Sequence, residues 1–380
     1  MPHRILRTAA VVAACCCGGS TFGCNVVVST IFTVSGGIIH APGGAQYIAR
    51  GINVADWAAV GPGGASNGTN NGAAMLSLFP GINLVRLNMQ KTYGDPIVSG
   101  GLTSTNGVQS GTTTTTTADS SGYNCDPANF TQFVQNVTGY NTAGAVVGST
   151  HAVVVIEDHE AGNPTIAPGT SQITWYTNCA TYYKNNPYVW FGTTNEPAIN
   201  TTNQQDQNAI YNAVRGASNP NPVLLALISS QYPGNQSAWI SGSSAQTYYT
   251  GLTNVVWEVH GYAWQYGGQS SLISQATVNA FYATQVADLN AGVTSVDGVI
   301  PVIWGEYGTS TSGATVDTSG TRNVIGVQNN PGSGSAAWTW QAGASDKLQS
   351  SNVLTNFGTE VAGYIATGVV PGSWTDSDGS

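Results

Sequence analysis

Residues 152–160 read AVVVIEDHE, a continuous apolar run that ends in four polar residues. A strand with one face in water would alternate between apolar and polar positions, and this run does not. A continuous Val- and Ile-rich run predicts a strand that is covered on both faces, as the strands of a parallel sheet are.

The same kind of run occurs eight times along the chain. The other seven are YIARGINVA (47–55), GINLVRLNM (81–89), YVWFGTTNE (188–196), PVLLALISS (222–230), NVVWEVHGY (254–262), VIPVIWGEY (299–307) and SAAWTWQAG (335–343). Segments of helical length and partial 3.6-residue periodicity separate several of them, at 129–140, 170–184, 204–215 and 275–290. Eight β-α units predict an α/β fold, a (β/α)8 TIM barrel in one catalytic domain. Residues 32–54 predict a short N-terminal β-hairpin that leads into the first strand.

The ends of the chain have their own patterns. We expect a leader over residues 1–30, the barrel over 31–368 and a flexible tail over 369–380. The leader has Arg4 and Arg7, then a short apolar run and small residues, and so resembles a secretory signal. It predicts a secreted, extracellular protein, unless the start codon is mis-set. The segment VAAC also resembles a lipoprotein cleavage box, which would anchor the protein at the cell surface through Cys15.

The longest irregular stretch lies between Met89 and Asp126 and contains the Thr-rich tract 111–117. After a barrel strand, such a loop falls at the C-terminal face of the barrel, where loops build sites. We expect it either to wall a substrate cleft or to be disordered.

Composition excludes several classes of function. Only 7% of the 380 residues are charged, and the formal net charge is −9. An acidic chain without a basic cluster does not suit a nucleic-acid partner, and no later apolar run is long enough to cross a bilayer. No glycine-rich phosphate loop follows a strand, and the consecutive residues Asp158, His159 and Glu160 cannot all face one ion. We therefore expect no cofactor and no metal.

Six cysteines are present, and four of them lie in the leader. The other two, Cys125 and Cys179, are an even pair in a compartment that export would make oxidising. A disulfide between them would close a loop of about 54 residues and contribute roughly 4 kcal/mol in the chain-entropy model. The alternative is two buried free thiols.

Polar or aromatic residues end most of the predicted strands, and in a barrel those ends form the active-site face. They are Arg86, His159, Asn195, Glu196, His260, Tyr262, Glu306 and Trp340. Glu196 and Glu306 end the fourth and seventh strands, so they would face each other across the barrel mouth. Hydrolysis of a glycosidic bond needs such a pair: one carboxyl protonates the departing oxygen, and the other attacks the anomeric carbon or activates water.

Two further glutamates precede this rim. Glu157 and Glu258 lie two residues before His159 and His260, so they should point to the same side, beneath the site. Because a buried charge must be paired, we expect them to form ion pairs with Arg50 or Arg86.

Four motifs give the chain a family resemblance over residues 32–343. They are NEP (195–197), WGEYG (304–308), HGY (260–262) and NLVRLN (83–88), in this arrangement on the predicted strands. Together they resemble glycoside hydrolase family 5, a (β/α)8 family of retaining endoglycanases that includes cellulases and β-mannanases.

The resemblance implies a role for each matched residue. Glu196 would be the acid/base, Glu306 the nucleophile, and Asn195 the residue that binds the sugar 2-hydroxyl. Arg86 would support the nucleophile. His260 and Tyr262 match the H-x-Y positions of the family, and His159 matches its third-strand His.

Several tryptophans are candidates for sugar contact. In AWTWQAG (337–343), the ring of either Trp338 or Trp340 could form the platform on which the sugar of the central subsite lies. We expect Trp340, because WQAG resembles the sequence that follows the platform in the family. Trp57 and Trp264 could offer an apolar ring face to pyranose CH groups at the rim, with packing or simple exposure as the alternative.

The sequence therefore predicts a secreted retaining endo-β-1,4-glycanase that acts on plant-type polysaccharide as a monomer. We expect a β-1,4-glucan backbone. Mannan stays open, because EDHEAGN (157–163) and WTW resemble the β-mannanase branch. A non-catalytic carbohydrate-binding barrel is the other alternative, and the presence of both glutamates disfavours it.

Overall fold

A computed structural model of the chain describes 29–54, 72–89, 128–158, 171–197, 201–226, 248–262, 276, 279–280, 282–283, 293, 295–308, 327–329, 332–340 and 347–370. The predicted barrel is confirmed. Its strands are β3 (Ala49–Val54), β4 (Leu84–Met89), β5 (Val153–Asp158), β6 (Val189–Thr194), β7 (Val223–Ala226), β8 (Val255–Gly261), β9 (Val302–Tyr307) and β10 (Gly334–Ala337). They close in the order β10-β3-β4-β5-β6-β7-β8-β9, and every neighbouring pair is parallel.

The remaining described elements surround this barrel. The N-terminal hairpin is confirmed as β1 (Thr33–Ser35) and β2 (Ile38–His40), and a second antiparallel pair is β11 (Gln349–Ser350) and β12 (Val353–Leu354). The helices are α1 (Ala73–Leu78), α2 (Ala128–Thr138), α3 (Ser171–Tyr183), α4 (Thr201–Gly216) and α5 (Asn356–Thr367). Three of the predicted helices correspond to α2, α3 and α4, while the one at 275–290 falls mostly outside the described residues. In the described part of the chain, no helix is both long and apolar enough to cross a membrane.

The hairpin closes the N-terminal end of the barrel. Phe32 is buried there, and its ring lies edge-on to those of Tyr47 and Trp190, at centroid distances of 5.2 and 5.0 Å. One apolar cluster joins this hairpin region to side chains inside the barrel: Ala49, Leu84, Val153, Val155, Trp190, Leu224, Val256, Ile303 and Ala336. These residues form an apolar floor inside the barrel.

Strand periodicity puts a polar layer directly above that floor. Because successive side chains on a strand point to opposite faces, Arg86 shares the inward face with Leu84. By the same rule Glu157 follows Val155, and Glu258 follows Val256. The intervening residues, such as Val85, Leu87, Val154 and Ile156, instead join the second apolar cluster, which lies between strands and helices.

Candidate active site

Arg86 is the centre of the polar layer. Its side chain projects from β4 into the barrel and is fully buried. Nη1 donates to Glu306 Oε1 at 2.6 Å and to Asn53 Oδ1 at 2.9 Å, and Nη2 donates to Asn195 Oδ1 at 3.1 Å. The guanidinium group is a rigid planar fork of five N–H donors, so it can orient several acceptors at once.

Two buried glutamates complete the surroundings of this guanidinium. Glu157 Oε1 lies 2.8 Å from Nη2 of Arg86, and Glu258 Oε1 lies 2.7 Å from Nε. The predicted ion pairs are therefore confirmed, with Arg86 as the partner. Burial by itself would lower the pKa of Arg86, but the charges of Glu157, Glu258 and Glu306 raise it above its ordinary value.

Two glycines make room for these glutamates. A Cβ atom on Gly192 of β6 would stand 2.8 Å from Glu157 Oε2, and one on Gly305 of β9 would collide with Glu258 Oε1. Real Cβ atoms do not approach that closely, so a side chain at either position would displace a charged group beneath the site. Glycine in the GEYG and WFGTT segments thus has a packing reason.

The acidity of Glu157 depends on its burial. Burial raises its pKa to about 8, although the charge of Arg86 acts in the opposite direction and the charge of Glu258 adds to the increase. Glu157 therefore holds a proton more tightly in the folded protein than an exposed carboxyl group does, although Arg86 lies beside it.

Glu306 lies near the end of β9 and is almost fully buried. Besides Arg86, it accepts a hydrogen bond from the Tyr262 hydroxyl, which donates to Oε2 at 3.0 Å. His260 Nδ1 lies 3.4 Å from the same oxygen. A cation and a hydroxyl donor thus contact the two oxygens of this carboxylate and hold it in place.

Glu196 stands just past the end of β6. Its backbone φ is 39°, in the left-handed region that a non-glycine residue seldom occupies. This turn directs the chain away from the strand at the barrel mouth, and the side chain is 20% exposed, against 6% for Glu306. Asn195, the residue before it, is nearly buried and accepts from Arg86.

His260 lies between the two rim carboxylates and Glu258. Its Nδ1 atom is 2.9 Å from Glu196 Oε1, and its Nε2 atom is 3.4 Å from Glu258 Oε1. Burial lowers the pKa of His260, but the charge of Glu306 and the hydrogen bonds to Glu196 and Glu258 outweigh it and raise the pKa to about 10.

The three rim groups are close enough to act on one substrate bond. One oxygen of Glu196, one oxygen of Glu306 and a ring nitrogen of His260 all lie within 4.8 Å of one another. Carboxylates and imidazole are also metal ligands, but Arg86 places a fixed positive charge 2.6 Å from Glu306. This charge repels a cation, so the arrangement favours acid–base and nucleophilic chemistry.

Asn53 is a site residue that the sequence analysis missed. It lies on β3 and is fully buried; its Nδ2 atom donates to the Gly305 carbonyl at 2.8 Å, while its Oδ1 atom accepts from Arg86. Asn53 therefore connects the guanidinium to the backbone beside Glu306. The sequence did contain a sign of this role: Asn53 is a polar residue in the apolar segment GINVA, at a strand position whose side chain faces the barrel interior.

The expectation that Trp340 is the sugar platform does not agree with its position. Its side chain is 1% exposed and belongs to the apolar cluster under the helices, where its ring lies edge-on to Phe79 at 6.3 Å. Trp338 and Trp340 are two positions apart, but β10 ends at Ala337, so the alternation of a strand does not extend to them. Trp338 is only half-buried and is the better candidate of the two.

Other predicted residues lie outside the described part of the chain. These are Trp57, His159, Trp264, Cys125 and the Thr-rich tract 111–117. Cys179 is buried on α3. The disulfide between Cys125 and Cys179 stays a prediction.

Comparison with solved structures agrees with this fold. The chain is similar to a β-mannanase from Streptomyces thermolilacinus, with 15% identity and a TM-score of 0.55 over 90% of this chain and 96% of the other. It is also similar to a β-glucanase from Saccharophagus degradans, with 14% identity and a TM-score of 0.59 over 89% and 94%. A third is an endo-β-1,4-glucanase from Xanthomonas axonopodis pv. citri, with 16% identity and a TM-score of 0.54 over 84% and 98%. No curated protein matches the chain in sequence.

A family model provides the link beyond fold. The model for cellulase, glycosyl hydrolase family 5, matches residues 61–344, a span that contains Arg86, both rim glutamates, His260 and Tyr262. With the closed barrel and the carboxylate pair at its mouth, this match identifies the chain as a glycosyl hydrolase that belongs to family 5.

Proposed function

We propose that this enzyme is a retaining endo-β-1,4-glucanase that cleaves its polymer by double displacement. The observation that carries the proposal is the pair Glu196 and Glu306, whose nearest oxygens lie within 4.8 Å. In retaining glycosidases the two carboxyl groups are about 5–5.5 Å apart, whereas inverting enzymes separate them by about 6.5–9.5 Å to admit a water molecule. The short separation supports retention.

Glu306 is the better nucleophile of the pair. A nucleophilic carboxylate must be ionised and held in place, and Glu306 has Arg86 on one oxygen and the Tyr262 hydroxyl on the other. These donors hold it at the barrel mouth with little rotational freedom. Such preorganisation means that little reorganisation is needed when the carboxylate attacks.

Glu196 suits the acid/base role. It is the more exposed of the two, so it can reach the departing oxygen and later a water molecule. It forms a hydrogen bond with His260, a group that can share a proton with it, whereas Glu306 contacts a fixed guanidinium cation. The two carboxylates thus have different surroundings, as the two roles demand.

The reaction then follows in two balanced steps. First, Glu306 attacks the anomeric carbon while the glycosidic bond breaks, and Glu196 gives its proton to the departing oxygen. An ester now joins the sugar to Glu306. Second, Glu196 takes a proton from water, the water oxygen attacks the anomeric carbon, and the ester bond breaks, which restores Glu306 as a carboxylate and Glu196 as the protonated acid.

β-1,4-Glucan is the backbone that we propose, and β-1,4-mannan is the second candidate. The two sugars differ in the orientation of the 2-hydroxyl, the group that Asn195 would bind. Both a β-glucanase and a β-mannanase are among the similar structures, and their low identity makes them evidence of fold rather than of substrate.

Reducing-sugar release from carboxymethyl cellulose, glucomannan and galactomannan tests this proposal. We expect release from cellulose and glucomannan, and none by the Glu306→Gln protein. Release from galactomannan with intact cellulose would assign the mannan alternative. If all three polymers stay intact while the protein is folded, the proposed substrate class is wrong.

We further propose that the enzyme is exported and acts as a monomer. The signal-like leader and the low charge content support export. N-terminal sequencing of protein from culture medium tests secretion, and retention in the membrane fraction would favour lipidation at Cys15 instead. Light scattering at micromolar concentration tests the monomer, with about 39 kDa minus the leader as the expected mass.

A further inference from the structure

Glu258 contacts a partner of each rim carboxylate through a single oxygen. Its Oε1 atom lies 2.7 Å from Nε of Arg86 and 3.4 Å from Nε2 of His260. Arg86 in turn donates to Glu306, and His260 faces Glu196. This glutamate lies two residues before His260 on β8 and is 1% exposed, so substrate does not reach it.

The contacts of His260 restrict where its protons can be. Nε2 faces a buried carboxylate that is ion-paired with Arg86, so Nε2 must carry a hydrogen in order to bond with it. Nδ1 then faces Glu196 at 2.9 Å. One further proton is available to that contact, and it can lie either on Nδ1 or on the Glu196 oxygen.

We propose that Glu258 is a positioning residue for the acid/base step. Glu258 keeps a hydrogen on Nε2 of His260, and Nδ1 of His260 therefore shares one proton with Glu196. This proposal rests on the proposed function, in which Glu196 gives that proton to the departing oxygen. Once that proton has passed to the departing oxygen, Nδ1 and the Glu196 carboxylate face each other without one, so Glu196 readily takes a proton from water in the second step and the shared proton is restored. Every proton is accounted for, because only the one between Nδ1 and Glu196 moves.

The barrel is built to retain this charge. A buried carboxylate is costly, and an apolar side chain of similar size would often be as stable. Here Gly305 lacks the Cβ atom that would collide with Glu258 Oε1. Space for the charge is thus made on β9, directly before Glu306.

Within the described residues, the charged and titratable groups around His260 come from five strands. They are Glu258 and Tyr262 on its own strand or just after it, Glu196 after β6, Glu306 on β9, Arg86 on β4 and Glu157 on β5. The net effect of the carboxylates is to raise the pKa of His260 to about 10. Glu258 supplies one of the hydrogen bonds that cause this increase.

Nitrogen NMR of the labelled histidine ring tests the proposal directly. The chain has only five histidines, and a His260→Asn protein assigns the signal. We expect His260 in the wild-type protein to titrate well above the ordinary value of about 6.5. In Glu258→Gln the midpoint should fall by at least about one pH unit, because a neutral amide replaces the carboxylate that stabilises the imidazolium.

Glu157→Gln is the matched control. It also neutralises a buried partner of Arg86, but its contact is with Nη2 and not with the His260 ring. We expect it to shift the His260 midpoint by less than half as much. The alkaline limb of the pH profile of kcat/KM should move to lower pH in Glu258→Gln and stay in place in Glu157→Gln. Glu258→Asp keeps the negative charge, so its His260 midpoint should lie close to the wild-type value.

Three outcomes would overturn the proposal. The first is an unchanged His260 midpoint in folded Glu258→Gln, and the second is an equal shift of that midpoint in Glu157→Gln. The third is a wild-type midpoint near 6.5, which would overturn the proposal even if the Glu258→Gln protein does not fold. Failure of the proposed function is recognised separately, as a wild-type protein that hydrolyses no polymer, since the ring titration needs no substrate.

Discussion

Nη1 of Arg86 lies 2.6 Å from Oε1 of Glu306, although the two residues are 220 positions apart in the chain. The bond joins β4 to β9 across the interior of the barrel. Because the same guanidinium also contacts Asn53, Asn195, Glu157 and Glu258, it fixes the geometry of the whole polar layer.

Replacing Arg86 tests this arrangement. Arg86→Lys keeps the charge but offers a point donor in place of the planar fork, so it cannot satisfy five partners. We expect kcat to fall by about 10²-fold or more, as for loss of an oriented donor, and the free energy of unfolding to fall by about 3–5 kcal/mol, as for a broken buried ion pair. Initial rates and urea unfolding measure these effects.

Arg50→Lys is the control for that change, because Arg50 lies on neighbouring β3 but is only half-buried. It should keep kcat within about twofold, since surface contacts of arginine contribute little. Equal losses in the two variants would contradict the central role of Arg86.

Tyr262 and Tyr307 provide a matched pair of hydroxyl deletions. Tyr262→Phe removes the donor to Glu306 Oε2, and we expect kcat to fall by about 10-fold to 10²-fold. Tyr307→Phe removes a buried hydroxyl that accepts from Gln328, so it should cost about 1 kcal/mol of stability and leave kcat nearly unchanged. A kcat effect of the same size in both would show that packing, not the hydrogen bond to Glu306, is responsible.

Glu196→Ala separates the acid/base from the nucleophile. Hydrolysis of polymer should fall by about 10²–10⁴-fold, because the departing oxygen then receives no proton. An aryl glycoside with a good leaving group needs less protonation and should lose less in the first step, and azide should restore turnover with a glycosyl azide of retained configuration. Glu306→Ala should lose at least about 10⁴-fold and should not recover in this way. Polymer hydrolysis at the wild-type rate by the Glu196 variant would refute the assignment.

Stability should decrease as the pH rises. The pKa of Glu157 is about 8 in the folded protein and that of His260 about 10, both above the unfolded values near 4.5 and 6.5. A raised pKa means that the folded state binds the proton more tightly. The stabilisation is therefore complete below the unfolded pKa and is lost as the pH rises to the folded pKa, from about 4.5 to 8 for Glu157 and from 6.5 to 10 for His260.

Within its own window each group should contribute a slope of about −1.4 kcal/mol per pH unit. Urea unfolding at pH 5, 7 and 9 measures this slope. The Glu157→Gln protein should show a flatter dependence between pH 5 and 8. A wild-type free energy of unfolding that rises over this range would be contrary to both assignments.

The two tryptophans after β10 should respond differently to truncation. Trp340→Ala removes a fully buried ring, so we expect a loss of about 3–5 kcal/mol in the free energy of unfolding. Trp338→Ala should cost much less stability and should instead raise KM for oligosaccharides, because a half-buried indole can offer a face to a sugar. If Trp340→Ala alone weakens binding in a stable protein, the original expectation was right.

The barrel could be predicted from local patterns. Continuous apolar runs such as 152–160 have no other stable place than a sheet covered on both faces, and their number and spacing predict closure. The ends of the runs were harder to place. The eighth run continues as apolar sequence to Trp340, whereas β10 ends at Ala337, because tertiary contacts and not hydrophobicity decide where pairing stops.

The sequence by itself determined the identity of the two rim glutamates, through the NEP and GEYG motifs at strand ends, and the parity that sends Glu157 and Glu258 inward. Only the tertiary structure decided that Arg86, rather than Arg50, receives them, that Asn53 belongs to the site, and that Trp340 is buried. Periodicity states on which face of a strand a residue lies, and it contains no information about which strand lies opposite. The partners of the Asn53 side-chain amide are 33 to 284 positions away in the chain, and such contacts exist only once the barrel has closed.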